Sequence, residues 1–204
     1  MQNARVLVAQ DFTTDHGAAA KALRLPLGSP GAFGNPYRSV IDLMKRWPEH
    51  PNRREVIMIT DGIDRSHAGP RHDLSINPDV DLASTVAQRT GTIIYTIYSP
   101  GAGRLSRNFW EATNGQNGIS KLSDETGGES YFLGRQPAVS FEPYLTQIAK
   151  NLENQYLLVF DVTTRKKAGL QPVALITEVA GVEFAAADNV WVPTAATGSV
   201  TGEH

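Results

Sequence analysis

The run Val56-Ile57-Met58-Ile59 places four apolar residues in succession with no polar interruption. A strand with one wet face alternates; this one does not, and it is too short for a packed helix. It reads as a strand buried on both faces, as in a parallel sheet covered by helices on each side. Thr92–Tyr98 is a second such run, β-branched and aromatic. Between them, Asp79–Arg89 has helical periodicity with Val80, Leu82, Ala83, Val86 and Ala87 directed inward and Gly91 placed to cap its end. Ahead of the first run, residues 37–47 carry Tyr37, Val40, Ile41, Met44 and Trp47 at steps of three and four, one apolar face of a helix that Pro48 ends. Further on, a helix is predicted over Ile119–Thr126, a strand over Glu129–Leu133 and a helix over Phe141–Leu152. Alternating strands and helices predict an α/β domain with a mostly parallel central sheet.

The flanks are less regular. Residues 4–12 are Val-rich and predict a strand; Asp15 is a helix cap, His16 a helix-start residue, and Ala18–Leu25 a short helix. Residues 26–36, 63–78 and 99–118 are rich in Gly, Pro or Asn and predict loops, the last carrying Phe109 and Trp110. Those two aromatics are expected to pack beneath their loop, the alternative being an exposed recognition patch. Residues 155–163 predict a strand, 165–169 a turn, and 173–179 and 182–186 further strands in a hairpin-like extension. The expected division is a domain over residues 1–163, a β extension over 164–193 and a flexible tail over 194–204.

Composition excludes several classes. The 204 residues contain no Cys, which removes disulfide scaffolds, thiolate metal sites and cysteine nucleophiles. Nineteen Lys and Arg against 21 Asp and Glu give a net charge of -2, so no overall basic field draws the chain to nucleic acid. No stretch has the ~18 apolar residues that span a bilayer, and the first ten residues lack the pattern of a signal peptide. His67 and His72 read as exposed loop residues. Neither Ser66 nor Ser99 sits in a nucleophile elbow. Gly101-Ala102-Gly103 starts a dinucleotide-binding pattern that breaks at Ser106.

Ligands of open α/β sheets gather at the C-terminal ends of the strands, which here points to Thr60-Asp61-Gly62. Arg54–Gly62 resembles the fourth strand of von Willebrand factor A domains, where Thr-Asp-Gly closes the strand and its Asp belongs to a metal-ion-dependent adhesion site. Thr92–Tyr98 resembles the fifth strand, Leu122–Phe132 the family's helix-Gly-Gly-strand step, and Asn154–Leu158 a strand of a bacterial subgroup. The resemblance covers residues 4–163. It implies a Rossmann-like three-layer fold and a non-enzymatic protein-interaction or adhesion module, with relatives acting in the cell envelope or outside the cell. It also implies a Mg²⁺ or Ca²⁺ site holding Asp61 and Asn35, and a ligand face including Asp64, Phe109 and Trp110.

The chain departs from the family pattern. No Asp-x-Ser-x-Ser follows a first strand, and Asn35-Pro36 stands at the position of the family's metal-binding Thr. Residues 4–12 then correspond to the family's third strand, and the first strand, first helix and second strand are expected upstream of Met1. The cation site is accordingly expected to be degenerate, with binding weak or absent. Lacking its first-strand neighbour, the Thr-Asp-Gly strand is expected to offer an open edge for self-association. Two alternatives remain: a cation-dependent hydrolase or phosphotransferase using Asp61 and Asp64, and a remnant without independent activity.

Overall fold

The computed structural model describes residues 6, 8–23, 34–49, 52–64, 77–100, 109–132, 140–159 and 168–194. In chain order the elements are α1 (His16–Ala22), α2 (Pro36–Lys45), β1 (Arg54–Thr60), α3 (Pro78–Thr90), β2 (Thr92–Tyr98), α4 (Phe109–Thr126), β3 (Ser130–Phe132), α5 (Glu142–Glu153), β4 (Gly169–Pro172) and β5 (Asn189–Val192). β1, β2 and β3 form a parallel sheet in that order, and β4 and β5 form a separate antiparallel pair. The chain is therefore α/β, as its alternating elements predict. No helix among the described residues is long and apolar enough to cross a membrane.

Local chemistry accounts for most boundaries. Asp15 caps α1 by accepting from Ala18 N–H at 3.0 Å. Asn35 and Asn77 cap α2 and α3, each followed by Pro at the first helical position, where the missing N–H has no partner to lose. Gly91 ends α3 in the left-handed region at φ 63°, a backbone that glycine adopts without penalty. α2 buries Tyr37, Val40, Ile41 and Met44, the stripe its spacing predicts, whereas Leu82 of α3 faces outward.

The sheet has two faces. Val56 and Met58 of β1 and Ile94 and Tyr98 of β2 pack with α2, α3 and α4 in one continuous core. On the opposite face, Tyr95 and Ile97 of β2 and Tyr131 of β3 pack against Ile148 of α5. Among the described strands β1 lies at the edge of the sheet, and its Ile57 and Ile59, on the α5 side, remain 45% and 48% exposed. The reading of β1 as buried on both faces is thus corrected: among the described residues α5 packs its core residue Ile148 against β2 and β3, and the β1 residues on that face stay half-exposed.

Other expectations change too. The described part of 4–12 forms no strand; with no ladder partner among the described residues, it is held by Phe12 against Trp47, ring centroids 5.1 Å apart. Residues 109–118 are helix rather than loop, the first half of an 18-residue α4. Glycine and asparagine are poor helix formers and misread there, because close packing rather than propensity selects them. Residues 155–159 are not a strand, and 160–163 lie outside the described residues. The extension exists, but its ladder joins 169–172 to 189–192 instead of 173–179 to 182–186. Arg89 lies over the Trp191 ring at 4.7 Å, tying β5 to the end of α3. The turn at 165–167, His67, His72, Ser66, Gly101–Gly103 and residues 195–204 of the expected tail lie outside the described residues.

Candidate functional site

Thr60-Asp61-Gly62 turns away from the end of β1 through three short bonds. Ser99 N–H donates to Thr60 O at 2.8 Å, joining the ends of β1 and β2. Gly62 N–H donates to Thr60 Oγ1 and Ile63 N–H to Asp61 Oδ1, both at 3.1 Å, so the two side chains fold the turn on itself. Gly62 has φ 69°, and a Cβ there would lie 2.3 Å from Gly115 O of α4. The reverse also holds, since a Cβ on Gly115 would lie 2.3 Å from Asp61 O. One turn further along α4, a Cβ on Gly118 would meet the Tyr37 hydroxyl at 2.3 Å. The glycines of α4 therefore let the helix backbone rest directly on the strand-end turn, at a helix-propensity cost of about 1 kcal/mol each.

Two helix N-termini meet this turn. Asn35 Oδ1 accepts from Arg38 N–H at 3.0 Å, while its Nδ2 donates to Asp64 Oδ2 at 2.8 Å and to Asp79 Oδ2 at 2.6 Å. The two roles fix the amide's orientation, since only the oxygen can accept from a backbone N–H. Arg38 Nε adds a 2.9 Å ion pair to the same oxygen of the nearly buried Asp79. Tyr37 OH donates to Gly62 O at 2.8 Å. Burial first, and then the charges of Asp61 and Asp64, push the Tyr37 hydroxyl well above the ordinary tyrosine range, so it serves as a neutral donor.

A cleft of about 250 Å³ opens beside the turn, between the start of α3 and the first half of α4. Ile63 and Val80 supply its apolar walls, and Asp64, Asp81, Glu111 and Lys121 its charges. Lys121 Nζ donates to Asp81 Oδ1 at 2.6 Å, which raises its pKa and neutralises that carboxylate. The remaining charge on the lining is acidic, from Asp64 and Glu111.

The structure places Asp61 and Asp64 in the turn that follows β1, with the Asn35 amide on Asp64. Phe109 and Trp110 do not lie beneath a loop. They stand on the exposed first turn of α4, 63% and 69% accessible and edge to face at 5.7 Å, next to Glu111 of the cleft. Tyr37, Asp79, Gly115 and Gly118 were not legible as site residues. The repeated Asn-Pro before α2 and α3 is the one local signal that marks both converging helix starts.

The donor set does not suit Asn35 as a ligand for Mg²⁺ or Ca²⁺. Such ions collect six or more oxygens. Asn35 instead turns its NH₂ toward the carboxylates and its oxygen toward the helix, and Asp61 Oδ1 already accepts from a backbone N–H. Among the described residues no three His, Asp or Glu cluster as a metal site. The chain matches no family model, and no curated protein or solved structure is detectably similar to it.

Proposed function

We propose that this chain is a non-enzymatic interaction module of the von Willebrand factor A type, in which a degenerate adhesion site binds a protein ligand without a resident cation. The observation that carries this reading is the Asn35 amide, which donates to Asp64 and Asp79 at the C-terminal end of a parallel sheet. With Arg38 it supplies the positive partial charge that a cation would bring to those carboxylates. The cleft beside them, with Asp64 and Glu111 on its lining and Phe109 and Trp110 nearby on α4, is the ligand face; it suits a basic segment of a partner protein. The hydrolase alternative requires an activated nucleophile beside Asp61 and Asp64. The hydroxyl that feels both charges, Tyr37 OH, has a raised pKa and donates to Gly62 O, the opposite of activation.

Millimolar Mg²⁺ or Ca²⁺ should leave the melting temperature of the wild-type chain unchanged. Asn35→Asp should lower it in chelator, because three carboxylates then crowd one turn, and should restore it when the cation is added, by mass action. A clear cation-dependent rise in the wild-type protein would refute the degenerate site. Metal-dependent turnover of a phosphoester panel, lost in Asp61→Ala, would overturn the interaction module in favour of an enzyme.

A further inference from the structure

We propose that the cleft beside the Thr60-Asp61-Gly62 turn receives one arginine side chain of the partner, its guanidinium held by the Glu111 carboxylate and the amide oxygens of Asn114 and Asn117. The inference rests on the reading above of this cleft as the face for a basic segment, and it names the residue that enters. Glu111, Asn114, Asn117 and Lys121 follow one another at steps of three and four along α4, and all four line the cleft. Packing explains the glycines among them, Gly115 and Gly118, but not the asparagines. Asn is a poor residue for a helix interior, because its side chain competes for backbone partners. Here it finds none. Among the described residues Asn114, Asn117 and the Glu111 carboxylate have no hydrogen-bond or ion-pair partner. Three polar side chains on the cleft wall, unused by the fold, form a binding surface.

The chemistry of the cleft selects what binds there. Lys121 is already taken by Asp81 at 2.6 Å, which leaves Asp64 and Glu111 to attract a positive group. The volume of about 250 Å³ falls short of the ~300 Å³ at which pockets for drug-sized molecules begin, and it holds one long side chain rather than a length of chain. An ammonium is a point charge, satisfied at one carboxylate as Lys121 is at Asp81. The acceptors on α4 are spread out: a carboxylate and two amide oxygens. That set suits a planar guanidinium, which carries five N–H donors in a fixed fork and accepts nothing. Ile63 and Val80, the apolar part of the lining, receive the methylene stem.

The test is calorimetric titration of the full 204-residue chain with acetyl-Gly-Arg-Gly-amide and acetyl-Gly-Lys-Gly-amide at low salt, with thermal melting as the folding control. The arginine peptide is expected to bind about tenfold more tightly than the lysine peptide. Glu111→Gln should weaken it about tenfold, the loss of one charge-assisted hydrogen bond. Replacing both amides, Asn114→Ala with Asn117→Ala, should abolish the preference for arginine. The same double variant should melt no lower than wild type, because alanine favours a helix and neither amide has a partner to lose among the described residues. The proposal is overturned if neither peptide binds at millimolar concentration, if both bind equally, if arginine binding survives Glu111→Gln, or if the double variant melts below wild type. Equal binding strikes the arginine alone and leaves the face for a basic segment standing. Failure of the cation-free module shows separately, as a cation-dependent rise in the wild-type melt.

Discussion

Among the described residues, one face of the β1–β3 sheet lies under α2, α3 and α4, and the other lies under α5. Both faces are apolar in sequence, and the alternating residues of β1 divide between them. Val56 and Met58 sit in a core shared by three helices, while Ile57 and Ile59, their immediate neighbours in the chain, remain half in water. The difference comes from the helices, not from the strand. α2, α3 and α4 contact one another as well as the sheet, so their face closes over β1 and β2 together, whereas α5 packs in a cluster with Ile93, Tyr95, Ile97 and Tyr131 of β2 and β3. An apolar strand is therefore stabilised on the side where helices support each other and left half in water on the other.

The largest effect that would break this comparison comes from adjacent positions on β1. Met58→Ala should cost about 2–5 kcal/mol, as large-to-small core changes do. Ile57→Ala should cost less than about 1 kcal/mol in the monomer, because part of its surface is already wet. Equal losses in chemical denaturation would show the two faces to be equally closed. Next in size, Tyr37→Phe removes the donor to Gly62 O and leaves a buried carbonyl unsatisfied, a loss of about 1–3 kcal/mol. If the variant melts like wild type, the tyrosine does not hold the strand-end turn to α2.

The smallest effect concerns Glu55, on the less covered face. Burial raises its pKa above the ordinary 4.5, opposed by the Arg53 charge and then by a hydrogen bond from Gln155; among the described residues its buried Oε1 has no hydrogen-bond partner, with Arg53 Nε 3.8 Å away. A raised carboxyl favours the folded state in its protonated form. Its contribution is complete below pH 4.5 and is lost as pH rises through the folded-state value. Glu55→Gln should accordingly melt slightly above wild type at neutral pH, and the gap should close in acid. A variant that melts lower at neutral pH would mean that the carboxylate is held by its neighbours rather than merely enclosed by them.

Much of the fold was legible because its signals are local. The stripe on α2, the Asp15 cap, the Gly91 cap and the uninterrupted runs of β1 and β2 each involve residues within a few positions of one another. Asp61 and Asp64 were found at the strand end for the same reason: they follow β1 directly. The first half of α4 was not legible. Gly115 and Gly118 weaken a helix in isolation, and only the nearness of Asp61 O and the Tyr37 hydroxyl explains why glycine is needed there. The strands expected at 4–12, 155–163, 173–179 and 182–186 share a second cause. β-propensity describes fitness for a ladder, and the partner is a separate fact.

The sequence by itself determined the buried stripe of α2, the caps that start α1 and end α3, and that the sheet is parallel, since periodicity and caps act over one or two turns of chain. Only the tertiary structure decided that Asn35 faces Asp64 and Asp79 with its NH₂, and that α4 rests on the Asp61-Gly62 turn. Those outcomes join residues 29, 44 and more positions apart. The free energy of such contacts depends on how whole elements pack, which no local pattern encodes.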